Sequence, residues 1–218
     1  MEPQDDVSLV HRVFLLAYRP ERQRLAGGQH MGLALNAAAL QGLLDAGFLA
    51  DEGGRVRVAA SRGAVPDGAL EADVFARVVA SDRSRSWRHW VKKSAAFAVG
   101  TVRTELARSR VLRVEKTRVL LVFPYHSVAL RQPRMRTAAL AGVRDALRAT
   151  QPASRVPRCQ AATTVLVHIA EMNTVMSGRE RRAARGRVDE LAAGLGPVPE
   201  ALRKAVRDAK ATSSGGGG

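Results

Sequence analysis

The sequence predicts a mainly α, single compact helical domain with small β-hairpins. Apolar residues recur in most segments at the three- and four-residue spacing of a buried helix face, and two short segments place apolar runs around Gly-rich or polar turns. With 46% hydrophobic residues, 218 positions are enough to bury one core. We expect residues 1–6 to be disordered, residues 7–211 to form the domain, and residues 212–218 to be a flexible Gly/Ser tail.

The first part of the chain is predicted to hold three helices and one hairpin. Arg19-Pro20 ends the first helix, because proline cannot continue one. A Gly27-Gly28 break precedes the second helix, and Gly47 terminates it. The predicted elements are a helix over 7–17, a helix over 33–44, a hairpin over 48–59 that turns at Glu52-Gly53-Gly54, and a helix over 70–79 after the turn at 66–68.

The remainder is predicted to be helical, with a second hairpin. Apolar spacing continues from Trp87 through Phe97 to Leu106, which predicts helix as far as about Arg110. The second hairpin is predicted over 111–123, with its polar turn at Glu115-Lys116-Thr117, and with Pro124 closing it. Helices over 135–149, 161–176, 179–195 and 199–210 complete the domain.

Composition argues against membrane-spanning and secreted classes. No apolar run approaches the roughly 18 residues of a membrane-spanning helix. The acidic start, Met1 to Asp6, lacks the positive charge of a secretory signal. The single cysteine, Cys159, permits neither an internal disulfide nor a Cys-rich zinc site, and we expect it to be a small core or surface residue. These observations predict a cytoplasmic protein with no metal and no other cofactor.

Positive charge is concentrated in the middle of the chain. The formal net charge is +15, and residues 77–118 carry 12 basic and 3 acidic side chains, whereas residues 1–76 carry 7 basic and 10 acidic ones. Such a patch attracts the phosphates of lipid headgroups or of nucleic acid, more weakly as salt rises. A solvated helix face is the alternative interpretation. The residues we expect to bind an anionic surface are Lys92, Lys93 and Arg103.

Several segments fall in the register of one known family. They are Phe14-Leu15-Leu16, the helix-Gly-strand unit from Leu35 to Leu49, Pro66-Asp67-Gly68 followed by Ala72-Asp73, Trp90-Val91-Lys92-Lys93, the hairpin from Val111-Leu112 through Arg118–Val122 to Phe123-Pro124, and Thr164 to His168. The acidic pair expected after the Gly68 turn is incomplete. From about His11 to Lys210 the chain resembles the Golgi phosphoprotein 3 family, specifically its shorter bacterial, actinobacterial-type members.

The resemblance implies a helical domain with a protruding hairpin, attached peripherally to membranes. In eukaryotic members a pocket of one Trp and three Arg binds phosphatidylinositol 4-phosphate, and the protein adapts membrane enzymes to vesicle traffic. The matching positions here are Gly27, Asn36, Ala96 and Val99, so all four pocket side chains are lost. Without a guanidinium clamp, we do not expect the family's headgroup selectivity.

The altered pocket is also a candidate site for a small ligand. Gly27, His30, Asn36, Ala96 and Val99 would line a cleft suited to a small neutral or weakly acidic molecule. His30 would serve there as a polar anchor or a general base. The alternative is an exposed histidine at the start of a helix.

Catalytic residues cannot be assigned from the sequence, and enzymatic activity stays open. His168 and Glu171 stand three apart on a predicted helix and could act as a base and its orienting group, although a satisfied core histidine is the alternative. Tyr125-His126 borders the family pocket without a nucleophile or metal partner. The sequence has no phosphate-binding loop, dinucleotide fingerprint or His-Glu-x-x-His helix.

The hairpin is the candidate contact for self-association. Its predicted tip is Glu115, Lys116, Thr117 and Arg118. The residues that follow, Val119 to Val122, form an apolar run longer than one buried strand face requires.

The leading function is therefore a peripheral binding or adaptor protein that holds anionic phospholipid, at the inner face of the plasma membrane, with an unknown protein partner. The alternatives are an enzyme or accessory protein acting on a small molecule in a biosynthetic pathway, and nucleic-acid binding, which charge favours without any supporting motif.

Overall fold

The computed structural model describes residues 7–26, 28–59, 63, 65–119, 123–148 and 150–214, and of residues 114–119, 123–128 and 214 it describes the backbone. Within these ranges the chain is mainly helical, which confirms the predicted fold class. The helices are α1 (Leu9–Leu16), α2 (Met31–Asp45), α3 (Ala69–Val79), α4 (Trp87–Lys92), α5 (Ala95–Arg108), α6 (Pro133–Leu147), α7 (Arg158–Ile169), α8 (Gly178–Ala183), α9 (Arg185–Ala193) and α10 (Val198–Ser214).

Short strands form three antiparallel pairs among the described residues. They are β1 (Tyr18–Arg19) with β2 (Arg24–Leu25), β3 (Leu49–Glu52) with β4 (Arg55–Val58), and β5 (Leu112–Val119) with β6 (Phe123–Leu130). No helix of the described residues is both long and apolar enough to cross a membrane.

Helix α2 lies at the centre of the core. From Ala34 to Leu40 every side chain is fully buried, and the helix contacts α1, α3, α4, α5, α7 and α10. A helix that is apolar on all sides belongs inside a protein, and its many alanines let neighbouring helices approach closely. Trp87 and Trp90 of α4 are also buried, so they belong to the core rather than to an interface.

Serine side chains begin three of the helices. Ser8 accepts a hydrogen bond from the His11 amide at 3.2 Å, and Ser86 accepts one from the His89 amide at 3.3 Å. Ser177 and Glu180 form a reciprocal capping box at the start of α8. Each cap satisfies an amide that the first helical turn leaves unpaired, which explains where α1, α4 and α8 begin.

Acidic side chains join the starts of α1 and α3 to α5. Glu105 of α5 accepts a hydrogen bond from the Ala69 amide at 3.2 Å and lies 3.4 Å from Nε2 of His11. Glu71, half-buried beside them, has its pKa raised first by burial and further by the charge of Glu105, while His11 acts in the opposite direction. Three helices therefore meet at a group of interacting ionisable side chains.

The first predicted hairpin is confirmed, including its turn. Strands β3 and β4 pair with Glu52 opposite Arg55, which leaves Gly53 and Gly54 as the two-residue turn. Both glycines have positive φ, 59° and 80°, a conformation that such tight hairpin turns require.

The second hairpin is longer than predicted, and its turn lies elsewhere. Glu115, Lys116, Thr117 and Arg118 are in the middle and end of β5, where Glu115 pairs with Ser127 and Arg118 with Pro124. The prediction of a turn at Glu115-Lys116-Thr117 was therefore wrong, because β5 continues through these residues to Val119, and Pro124 lies within β6 rather than after it. Leu120 to Val122, part of the predicted contact run, lie outside the described residues.

Several helices also differ from the predictions, and the helix predicted over 179–195 is divided into α8 and α9. The helix predicted over 161–176 ends at Ile169, because Glu171 adopts a left-handed conformation with φ of 57°. Helix α10 continues to Ser214, so the helical domain extends three residues beyond position 211. The predicted disordered segment 1–6 and the tail end 215–218 lie outside the described residues.

Candidate functional site

A cleft of about 590 Å³ lies between the starts of α2 and α5. We call it the α2–α5 cleft. Its walls approach each other at Gly32, where an added Cβ would overlap the carbonyl oxygen of Ala95. Only glycine allows this backbone contact, so Gly32 fixes the distance between the two helix starts. The residues around the cleft include Gly28, Gln29, Leu33, Ala96, Val99 and Ala209.

Two of the predicted pocket residues lie in this lining, and their chemistry is apolar. Ala96 and Val99 occupy successive turns of α5 and present methyl groups to the cleft. Gly27 lies outside the described residues, next to Gly28 of the lining. Hydrogen-bonding capacity in the described lining comes from Gln29 and from the backbone, so no guanidinium clamp for a phosphate is present in this part of the site.

Asn36 does not face the cleft but stabilises the end of α4. The side chain is fully buried, and its Nδ2 donates to the carbonyl oxygens of Val91 and Lys93 at 3.1 and 2.8 Å, with a longer contact to Trp90. The last carbonyls of a helix have no partner within it, and Asn36 supplies one from α2. Sequence reasoning placed Asn36 in a ligand site, whereas its Nδ2 is already engaged by backbone and its buried Oδ1 has no hydrogen-bond partner among the described residues.

His30 immediately precedes α2 and is buried rather than exposed. Its side chain is 3% exposed and makes no capping bond, and Nδ1 has no hydrogen-bond partner among the described residues. Burial lowers the pKa of His30, while nearby Glu171 raises it and Lys210 lowers it. The expectation of an exposed helix-start histidine was therefore wrong. His30 is not among the residues that line the α2–α5 cleft, although both of its chain neighbours are.

The three predicted surface cations have different surroundings. Lys92 contacts the Asp208 carboxylate of α10 at 3.0 Å, and Arg88 contacts the same carboxylate at 2.6 Å. The hydrogen bond from Lys92, followed by that from Arg88, lowers the pKa of Asp208. Lys93 and Arg103 form no ion pair with a described residue, so their charges are available to an external anion.

Phe97 is the residue that sequence reasoning misplaced. Its side chain is 73% exposed, although the apolar spacing from Trp87 assigned it to a buried face. Helix α4 ends at Lys92, and Ser94 adopts a left-handed conformation with φ of 59°, so α5 begins with a new orientation. The break turns Phe97 outward beside Lys93. A serine between two helical segments was the available signal, but its conformation cannot be read from the sequence.

The proposed pair of catalytic residues does not form. Nε2 of His168 lies 2.9 Å from the carbonyl oxygen of Arg181, whereas Glu171 lies beyond the end of α7 and pairs with Lys210 at 2.5 Å. The interpretation of His168 and Glu171 as a base and its orienting group was wrong because the helix ends between them. The side chains of Tyr125 and His126 lie outside the described residues. Among described residues, no three His, Cys, Asp or Glu side chains are grouped to hold a metal ion.

The comparisons place the chain in a known family. The model of the family described as Golgi phosphoprotein 3 (GPP34) matches residues 9–209. No curated protein matches the chain. Because the matched residues are nearly all of the 218, the chain belongs to the Golgi phosphoprotein 3 family.

Proposed function

We propose that this protein binds anionic membrane surfaces peripherally through one exposed face. This face, the α4–α5 face, consists of the exposed Lys92, Lys93, Ala96 and Phe97 and of the half-buried Arg103. Membership in the Golgi phosphoprotein 3 family fits a lipid-binding adaptor at this coarse level. The observation that carries the proposal is the exposed ring of Phe97, four residues after the exposed pair Lys92-Lys93.

Phe97 would supply apolar attachment between cationic groups. Lys93, Ala96 and Phe97 are exposed within about one turn of the α4–α5 junction, and Arg103 lies two turns beyond Ala96 on the same side of α5. An aromatic ring enters the headgroup and acyl boundary while adjacent cations remain with the phosphates. The arrangement is typical of interfacial attachment rather than insertion.

The expected affinity is weak and reversible. Each cation near an anionic membrane contributes about 1 kcal/mol, and burial of an exposed Phe ring contributes about 1.5–3 kcal/mol. Lys93, Arg103 and Phe97 together would therefore contribute about 3–5 kcal/mol. An apolar cleft without a guanidinium clamp favours no particular phosphorylated headgroup.

Vesicle co-sedimentation over a salt series tests the proposal. We expect vesicles of phosphatidylcholine with phosphatidylserine, phosphatidylglycerol or phosphatidylinositol 4-phosphate, matched in surface charge, to bind equally and to release the protein as salt rises. The double variant Lys93→Gln/Arg103→Gln should weaken binding to all three together. Arg131→Gln/Arg134→Gln, which removes the same charge near the start of α6, is the matched control. Selective binding to one headgroup that survives high salt would refute the proposal.

Each of the other candidate functions is tested by its own experiment. Duplex DNA in the same salt series distinguishes nucleic-acid binding from lipid binding. Small-molecule binding near the α2–α5 cleft predicts that His30→Ala changes ligand-induced thermal shifts, because Nδ1 of His30 is buried with no described partner. Self-association through β5 and β6, around residues 115–118, predicts a concentration-dependent mass in sedimentation equilibrium.

A further inference from the structure

A second basic surface lies where the end of α7 meets α8, α9 and α10. We call it the arginine groove. It comprises two adjoining cavities, of about 360 and 520 Å³, which share His168, Arg185 and Arg203 as lining residues. The residues that define the groove are His168, Arg181, Arg182, Arg185, Arg203 and Arg207.

Positive charge in the groove exceeds the charge of its carboxylates. Arg203 contacts Asp189 at 2.5 Å and lies 4.0 Å from Glu200, and Lys210 at the edge of the groove contacts Glu171 at 2.5 Å. In contrast, Arg182, Arg185 and Arg207 form no ion pair with a described residue. Three guanidinium groups therefore face one groove without a described carboxylate partner.

The arginines of the groove are spaced so that their positive charges repel one another when no anion is bound. Arg181 and Arg185 are four residues apart across the α8–α9 junction, and Arg203 and Arg207 are four apart on α10. Like charges at this helical spacing repel each other, and Asp189 offsets that repulsion only at Arg203. An anion between the two helices would offset the remaining repulsion at both pairs.

His168 forms a fixed wall of the groove. Because a carbonyl oxygen can only accept a hydrogen bond, the 2.9 Å contact to the Arg181 carbonyl identifies Nε2 as the protonated nitrogen. The same contact ties the start of the Arg181–Arg185 segment to the end of α7. The groove thus has a rigid element against which a ligand can be positioned.

We propose that the arginine groove binds the phosphate group of a small phosphorylated ligand. Guanidinium groups bind phosphate oxygens through paired hydrogen bonds, and Arg185 and Arg207 approach the groove from two different helices. Ile169 and Val206 line the same cavity, so an apolar portion of the ligand would find a partner there. The site uses other residues than the α4–α5 face and does not depend on the proposed membrane function.

Pyrophosphate is the first probe. In isothermal titration calorimetry and thermal unfolding we expect saturable binding and a rise in Tm that potassium chloride of equal ionic strength does not reproduce. Arg185→Gln/Arg207→Gln should weaken pyrophosphate binding at least tenfold, whereas Arg131→Gln/Arg134→Gln should leave it unchanged. Arg185→Lys, which keeps the charge and removes the planar fork, should give an intermediate loss. Equal stabilisation by chloride, or equal loss in the two double variants, would overturn the proposal.

A second arm distinguishes the sources of the phosphate. Glycerol 1-phosphate presents the group in solution, and phosphatidic acid vesicles present it at a membrane. Binding of the soluble ester that Arg185→Gln/Arg207→Gln abolishes supports a small soluble ligand. Binding to the vesicles alone with the same sensitivity supports a lipid headgroup in this groove. Binding to both, with the same sensitivity, supports phosphate recognition irrespective of its source. Binding to neither contradicts a phosphate site.

Discussion

Gly32 lies so close to the carbonyl oxygen of Ala95 that no side chain fits between them. This contact joins the start of α2, the central helix of the core, to the start of α5, which carries Ala96, Phe97 and Val99. The shape of the α2–α5 cleft and the orientation of Phe97 thus depend on one glycine.

Gly32→Ala is expected to destabilise the protein by about 1–3 kcal/mol, because the backbone of α5 must move to admit the methyl group. Urea unfolding measures the change. Gly42→Ala in the same helix is the matched control, since a Cβ at Gly42 meets no neighbour. This control should stabilise the protein by as much as about 1 kcal/mol. Equal effects of the two substitutions would show that the Gly32 contact does not limit packing.

Asn36→Ala is expected to cost about 1–3 kcal/mol in the free energy of unfolding, because it removes a buried side-chain donor from the carbonyls of Val91 and Lys93, the second of which keeps a hydrogen bond from Arg77. Urea unfolding again measures the loss. Asn173→Ala, at an exposed asparagine, is the control. If the two variants have equal stability, Asn36 does not hold the end of α4, and its side chain is available to a ligand.

Phe97→Ser is expected to reduce affinity for anionic vesicles by about tenfold or more, because about 1.4 kcal/mol corresponds to a factor of ten and the ring contributes at least that much on burial. Vesicle co-sedimentation at fixed salt measures it. Val79→Ser removes another exposed apolar side chain, on α3, and should leave affinity unchanged. Unchanged binding by Phe97→Ser would exclude the ring from the membrane contact.

Glu71→Gln is expected to change how stability depends on pH. Burial raises the pKa of Glu71 in the folded protein above its ordinary value of 4.5. The stability contributed by the protonated carboxyl is complete below that value and is lost as pH rises through the folded-state pKa. The glutamine stays neutral, so the stability of the variant relative to the native protein should increase from pH 4 to pH 7.

Thermal unfolding at several pH values measures the Glu71 effect. Asp67→Asn, at the exposed turn before α3, controls for the general loss of a negative charge. A stability difference between Glu71→Gln and the native protein that stays constant with pH would contradict the raised pKa.

The sequence allowed most of the helices and the first hairpin to be predicted. The spacing of apolar residues, and the Gly and Pro residues that end helices or form turns, are local signals. Phe97 was misplaced because it lies seven residues after Trp90. Residues at this spacing share a helix face only if the helix is continuous, and Ser94 interrupts the helix. The partners of Asn36 lie more than 50 residues away in the sequence. Neither the left-handed conformation of one residue nor a hydrogen bond between residues far apart in the sequence leaves a periodic pattern in that sequence.

The arginine groove could not be predicted from the sequence for a similar reason. Arg185 and Arg207 belong to separate helices, and each alone reads as an exposed charge on a polar face. Their common surface arises from the way α8, α9 and α10 pack against the end of α7. Sequence reasoning therefore located the basic segment of 77–118, where the charges lie close together in the sequence, and missed the basic site assembled by tertiary structure.

The carboxylate of Asp208 on α10 is shared by two cations of α4. One acidic side chain restrains both Arg88 and Lys92, so its removal would release two cations toward solvent together. Asp208→Asn should accordingly strengthen attachment to anionic vesicles and steepen its decline with salt, while Glu200→Gln, on the same helix, should not. Helix α10, which also packs on the core, would then set the threshold of lipid charge density at which the protein leaves solution for a membrane.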